Sequence, residues 1–226
     1  MRAFWRRMGR RGERGLTMVE VLSTLAIGSL VLSTVYLATG TAIRSKMLVT
    51  SKLHNQQHGR IIVQWLGDRV RQAGYAVNTA SPIPRCRDAL VVEDASFAPT
   101  ATRLYVNTDL ANDGTTETIG FQMGTETVGA TTINIIQELV TNCAAGATER
   151  VSSVTDPTSV RIVSLTFTYY DAAGAVVTDL TTPASIRSIR MVRITLVERA
   201  SAGAAGEQEQ TWSVQVNLRN PDPRTL

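Results

Sequence analysis

Few residues in this chain have the type and spacing to do chemistry. Glu20 is the one charge between Leu16 and Ile43. A carboxylate that deep in an apolar segment costs roughly 2.5–3.5 kcal/mol on insertion scales, so it calls for a partner and a function. Hydrolysis of the Gly15–Leu16 bond would supply one, a free α-amine four residues upstream, on this chain or a neighbouring copy. An exposed helix N-terminus favours a nearby carboxylate as well. Cys86 and Cys143 could form a disulfide or remain two buried thiols, and an oxidising compartment makes the bridge the default. Asp109, Asn112, Asp113 and Glu117 could gather oxygen ligands for calcium. Their spacing departs from the EF-hand loop, and an Asp-Gly turn between strands explains the same residues without a metal. His54 and His58 share one helix face, but no Cys, Asp or Glu lies between Lys46 and Asp68 to complete a zinc site. No P-loop, G-x-S-x-G, H-E-x-x-H or C-x-x-C motif is present. The chain reads as a substrate of enzymes and not as an enzyme, and it calls for no cofactor.

Those residues have to be positioned by the elements around them. At 226 residues and 43% apolar composition the chain can build one sizeable core. Its formal charge of +4 would suggest nucleic acid, but the distribution of charge removes that partner. Residues 1–15 hold six arginines against Glu13, and the remainder is neutral to within one charge. Arg187, Arg190, Arg193 and Arg199 are expected to form a solvated strand face and not a DNA contact. The 28 residues 16–43 are too long for the apolar region of an ordinary secretory signal and long enough to cross a bilayer. The small-x-small run Gly40-Thr41-Ala42 would serve a conventional signal peptidase only if that enzyme tolerated Glu20. The basic flank keeps the N-terminus cytoplasmic and sends the rest across the membrane. Thr24 with Gly28 and Ser29 with Ser33 are small residues four apart that permit close helix contact.

The segment Gly15-Leu16-Thr17-Met18-Val19-Glu20-Val21-Leu22, with a basic leader before it and an apolar helix after it, resembles the class III signal of type IV pilins and pseudopilins. The resemblance implies that a prepilin peptidase cuts between Gly15 and Leu16 and methylates the Leu16 amine. It also implies that Glu20, fifth in the mature chain, guides docking into a filament. The family usually has Phe at the new N-terminus, where this chain has Leu16.

No proline interrupts the chain from Thr17 to Gly74. Beyond the apolar span, Ile61, Ile62, Trp65, Leu66, Val70 and Ala73 recur at three- and four-residue steps, which predicts one long helix ending near an αL cap at Gly74. After Pro82 and Pro84 the chain turns to short strands. Period-two alternation places Val163, Leu165, Phe167 and Tyr169 on one face, as it does Val192, Ile194 and Leu196, and Trp212, Val214, Val216 and Leu218. Weaker strands are expected near 102–107, 117–123 and 132–140, with a turn at Asp171-Ala172-Ala173-Gly174. The fold class expected is α+β, a long N-terminal helix packed on an antiparallel β-sheet head. The divisions are a leader at 1–15, a transmembrane or filament-core half-helix at 16–43, an amphipathic half at 44–75 and the head at 76–226.

The head resembles minor pilins of the PilW type. The shared features are Tyr169-Tyr170-Asp171…Gly174, the Ile/Val-rich strand in 186–197, Val216-Asn217-Leu218-Arg219-Asn220, and the helix end Arg71-Gln72-Ala73-Gly74-Tyr75. Together these imply a minor subunit of a type IV pilus. Alternatives are a pseudopilin of a type II secretion or DNA-uptake (competence) system, or a singly anchored adhesin or sensor. The resemblance implies other pilins, the prepilin peptidase, an inner-membrane assembly platform and, before assembly, membrane lipid as partners. It implies an inner-membrane protein with its head outside the cytoplasm that then joins a pilus at the cell surface.

Overall fold

The computed structural model describes residues 17–77, 81–143, 147–155, 161–201 and 207–218, without the side chains of 48, 51–56, 200, 201, 207 and 208. Helix α1 spans Met18–Arg71, and the chain divides into two compact units between Val49 and Thr50. In the first unit Met18–Met47 is long and apolar enough to cross a membrane, and none of it is buried.

In the second unit the rest of α1 packs with strands β1 (Arg103–Thr108), β2 (Glu117–Val128), β3 (Thr131–Asn142), β4 (Arg150–Ser153), β5 (Arg161–Tyr170), β6 (Met191–Ser201) and β7 (Glu207–Asn217). A short helix, α2 (Pro183–Ser188), lies between β5 and β6. The strands form two antiparallel sheets, ordered β1-β2-β3-β4 and β5-β6-β7, where the alternation pattern had suggested one. Alternation reveals which face of a strand is buried but not which strand pairs with it. At the β2–β3 turn, Val128 pairs with Thr131 around Gly129-Ala130. Gly129 has φ 63°, the Gly-first geometry that suits the twist of a two-residue hairpin.

One apolar cluster joins α1 to both sheets through Ile62, Val63, Leu66, Val70 and Ala73. Ile61, expected in that stripe, is 55% exposed, and Val63 takes its place. On the four-stranded side, Trp65 meets Phe121 edge-to-face with ring centres 5.7 Å apart, and Arg69 stands 3.6 Å from Glu138. On the three-stranded side the helix approaches through glycines, with Gly67 against Val214 and Val216 and Gly59 against Trp212 and Glu198. The sheets are tied by the Phe167 N–H to the Ala101 carbonyl at 2.8 Å and by the buried Tyr169 hydroxyl to the carbonyls of Thr100 and Arg103 at 2.8 and 3.2 Å.

The helix stops at Arg71, and its last turn tightens into three-residue hydrogen bonds before Gly74 adopts φ 81°. The Gly74 N–H donates to the carbonyl of Asn107 at 2.8 Å. Asn107 is fully buried. Its amide donates to the carbonyls of Arg85 and Asp88 at 2.5 and 2.7 Å, and its Oδ1 accepts from the Thr118 hydroxyl at 2.7 Å. One side chain on β1 therefore fastens the loop after the helix to the first sheet. In β5 a bulge between Ile162 and Ser164 shifts the register, so Ile162 and not Val163 enters the core.

A methyl group at position 59 would overlap the Trp212 indole nitrogen and the Glu198 carboxyl. Gly59→Ala is expected to destabilise the chain by about 1–3 kcal/mol through overpacking, more than the gain in helix propensity returns. Thermal unfolding checks this, and a raised midpoint would refute the close approach.

Candidate functional site

The N-terminus of α1 is capped from within. The Thr17 carbonyl accepts the N–H groups of Glu20 and Val21 at 3.0 and 3.1 Å, and its Oγ1 accepts the Glu20 N–H at 3.3 Å. Thr17 is thus the N-cap and Glu20 the third helical residue, the Thr-x-x-Glu spacing of a capping box. That signal stands in the sequence as Thr17-Met18-Val19-Glu20. Glu20 sits in the first turn, near the positive end of the helix dipole. It is exposed, and its carboxylate meets no side chain among the described residues. Gly15 and Leu16, the expected cleavage and methylation positions, lie outside the described residues.

Most serine and threonine hydroxyls of residues 18–43 are satisfied internally. Ser23, Thr24, Ser29, Ser33, Thr34 and Thr41 each return a hydroxyl hydrogen bond to a carbonyl three or four residues earlier. Such bonds remove the need for an outside partner in an apolar medium. Glu20, the one charged side chain of residues 18–43, receives nothing comparable from the helix, and Tyr36 is exposed.

In the head, Cys86 and Cys143 form a disulfide with Cα atoms 6.0 Å apart. It joins the single 3-10 turn Pro84–Cys86 to the residue after β3. The Thr118 hydroxyl stands 3.8 Å from each sulfur. The calcium candidates lie in the β1–β2 loop, where their oxygens accept from the backbone. Asp109 takes the N–H groups of Asp113 and Gly114 at 3.1 and 2.9 Å, Asp113 that of Thr115 at 2.8 Å, and Glu117 that of Leu110 at 2.9 Å. Asn112 Oδ1 accepts from the Tyr75 hydroxyl at 3.2 Å. Among the described residues no group of three or more His, Cys, Asp or Glu is placed to hold a metal ion. His58 is half-buried on α1, and the His54 side chain lies outside the described residues.

The four arginines do not form one solvated face. Arg187 reaches Asp88 and Glu93 at 3.2 and 2.8 Å, and Arg199 reaches Glu209 at 2.7 Å. Arg190 donates to the carbonyls of Arg187 and Ile189, and Arg193 stacks on Tyr170. Strand alternation shows which arginines point outward but not the acids that distant loops bring to them.

The profile of the prokaryotic N-terminal methylation motif matches residues 10–36. The profile of prepilin peptidase-dependent protein B matches residues 49–217, most of the chain. The chain belongs to the prepilin peptidase-dependent protein B family. A type IV-like pilin from Thermus thermophilus shares the fold at a TM-score of 0.51, over 74% of this chain and 97% of that one, with 10% sequence identity. No curated protein matches. Family and fold make this a pilin-like protein, with a long apolar N-terminal helix followed by antiparallel sheets. The helix and the methylation motif are consistent with membrane anchoring and pilus assembly.

Within this pilin-like head, Asn107 carries no sequence signal for its role, because its side-chain partners come from two separate segments, the 85–88 loop and β2. The disulfide closes a loop of 57 residues. Replacing both cysteines by serine is expected to lower stability by about 4 kcal/mol on the loop-entropy account. Chemical denaturation checks this, and an unchanged midpoint would contradict a structural role for the bridge.

Proposed function

We propose that this chain is a minor pilin of a type IV pilus. In this account prepilin peptidase cuts between Gly15 and Leu16 and methylates the Leu16 amine. The chain waits in the inner membrane with its head outside the cytoplasm, an orientation favoured by the arginine-rich leader. It then enters the filament through α1. The observation that carries the proposal is Glu20. It is the single acid of the unburied apolar span Met18–Met47, held in the first turn of α1 three residues after the capping Thr17. In the assembled filament it pairs with the amine of a neighbouring subunit, and the head forms part of the outer surface or tip. The assembly platform of the inner membrane and other pilins are the partners this requires.

A pseudopilin of a secretion or DNA-uptake system would use the same signal and the same helix.

Glu20→Ala tests assembly. Removing one member of a desolvated ion pair costs about 3–5 kcal/mol, because the partner charge is left uncompensated. The variant is expected to accumulate in the membrane and to disappear from fibres sheared off cells, measured by quantitative immunoblot of both fractions. A singly anchored adhesin or sensor would tolerate the change or gain from it, so undiminished surface material would overturn the assembly role.

A further inference from the structure

Two buried acceptors face one another at the end of the three-stranded sheet. Glu198 on β6 is 1% exposed and lies directly opposite Gln210 on β7. Strand alternation puts both on the face that carries Leu196 and Trp212 and is turned toward α1. The Trp212 indole N–H donates to Glu198 Oε1 at 2.9 Å. Glu198 Oε2 and Gln210 Oε1 are each buried without a hydrogen-bond partner among the described residues. Gly59 of α1 lies so close to this cluster that no Cβ fits.

Two lone acceptors cannot satisfy each other, and buried polar groups in folded proteins are nearly always paired. One proton resolves both, since a carboxylic acid donates from one oxygen while accepting at the other. We propose that Glu198 is held as a neutral acid whose Oε2–H donates to Gln210 Oε1, and that this Trp212–Glu198–Gln210 chain is a proton-dependent latch fastening α1 at Gly59 to the sheet.

The surroundings agree with a neutral acid. Burial pushes the Glu198 carboxyl above the ordinary glutamate range, and the Trp212 bond pulls it back by less. From β5, Ile162 is the residue opposite. Arg199, its cross-strand neighbour Arg161 and its partner Glu209 belong to the other face of the sheet by alternation. On α1 the ionisable groups flanking Gly59 are His58 and Arg60, and Arg60 is exposed.

The sign follows from linkage. A carboxyl whose value is raised on folding binds more proton in the native state, so its contribution is complete below the unfolded value, near pH 4.3, and is lost as pH rises through the folded one. An ionised Glu198 paired with a rotated Gln210 amide would give no such loss above the ordinary range.

The test uses the full chain in detergent micelles, comparing wild type with Glu198→Gln, which keeps the shape and supplies a permanent donor. Both are compared in a His58→Gln background, so that the imidazole next to Gly59 is absent. The wild-type unfolding midpoint is expected to fall relative to Glu198→Gln as pH rises above the ordinary glutamate range. Over the same interval, amide exchange at residues 57–63, corrected for intrinsic rate, is expected to accelerate in wild type alone. The carboxyl ¹³C resonance of Glu198 gives the protonation state directly and decides the matter even if the variant does not fold. A resonance titrating in the ordinary glutamate range, a difference in midpoint that does not change with pH, or exchange that is equal in both chains would each overturn the latch.

Discussion

A helix that carries thirty consecutive residues of membrane-spanning character and buries none of them must take its cover from outside the chain. Lipid and the apolar helices of other subunits are the two media that can provide it. Both impose the same condition, that every polar group on the helix be satisfied before it enters. Most serine and threonine hydroxyls of residues 18–43 meet this condition by bonding back to their own backbone. Glu20 does not, and its carboxylate is the one charge between Leu16 and Ile43. Apolar contact is indifferent to register, whereas a charge in an apolar medium is not. If the neighbour's amine is the partner, one residue fixes how far a subunit slides before it locks.

The second half of the same helix answers to a different solvent. From Gly59 to Arg71 it is a core element, and the spacing of its small residues decides which sheet comes near. Gly59 and Gly67 let the three-stranded sheet approach closely, while Trp65 and Arg69 meet the four-stranded sheet with long side chains. The Cys86–Cys143 bridge and Asn107 then secure the segment that follows the helix to the first sheet, where backbone pairing is sparse. The 81–101 region has little regular structure of its own, so these cross-links replace a ladder that the segment lacks.

Much of this was legible in the residues, for physical reasons that also explain the omissions. The signal, the span and the long helix follow from composition and period, which do not depend on tertiary partners. The inward faces of β6 and β7 followed from alternation, as did Leu165, Phe167 and Tyr169. Val163 did not, because a bulge is a property of two strands and one strand's pattern cannot show it. β4 has four residues, all exposed, so it carries no apolar period. Helix α2 did carry a signal, a Thr182 cap followed by Pro183 at its first position, which a search for longer helices overlooks. Glu198 looked like one more polar residue at the end of a strand, and only the fold sets it beneath Gly59.

The central claim is that the mature chain begins at Leu16 and travels into a fibre. Mass spectrometry of the N-terminal peptide, taken from sheared surface material and from the membrane pellet, tests it most directly. The expected result is a peptide starting at N-methylated Leu16 in the sheared fraction. The same peptide confined to membranes would point to a pseudopilin or to an initiating subunit that rarely leaves. An intact leader, or a start near residue 43, would contradict the account.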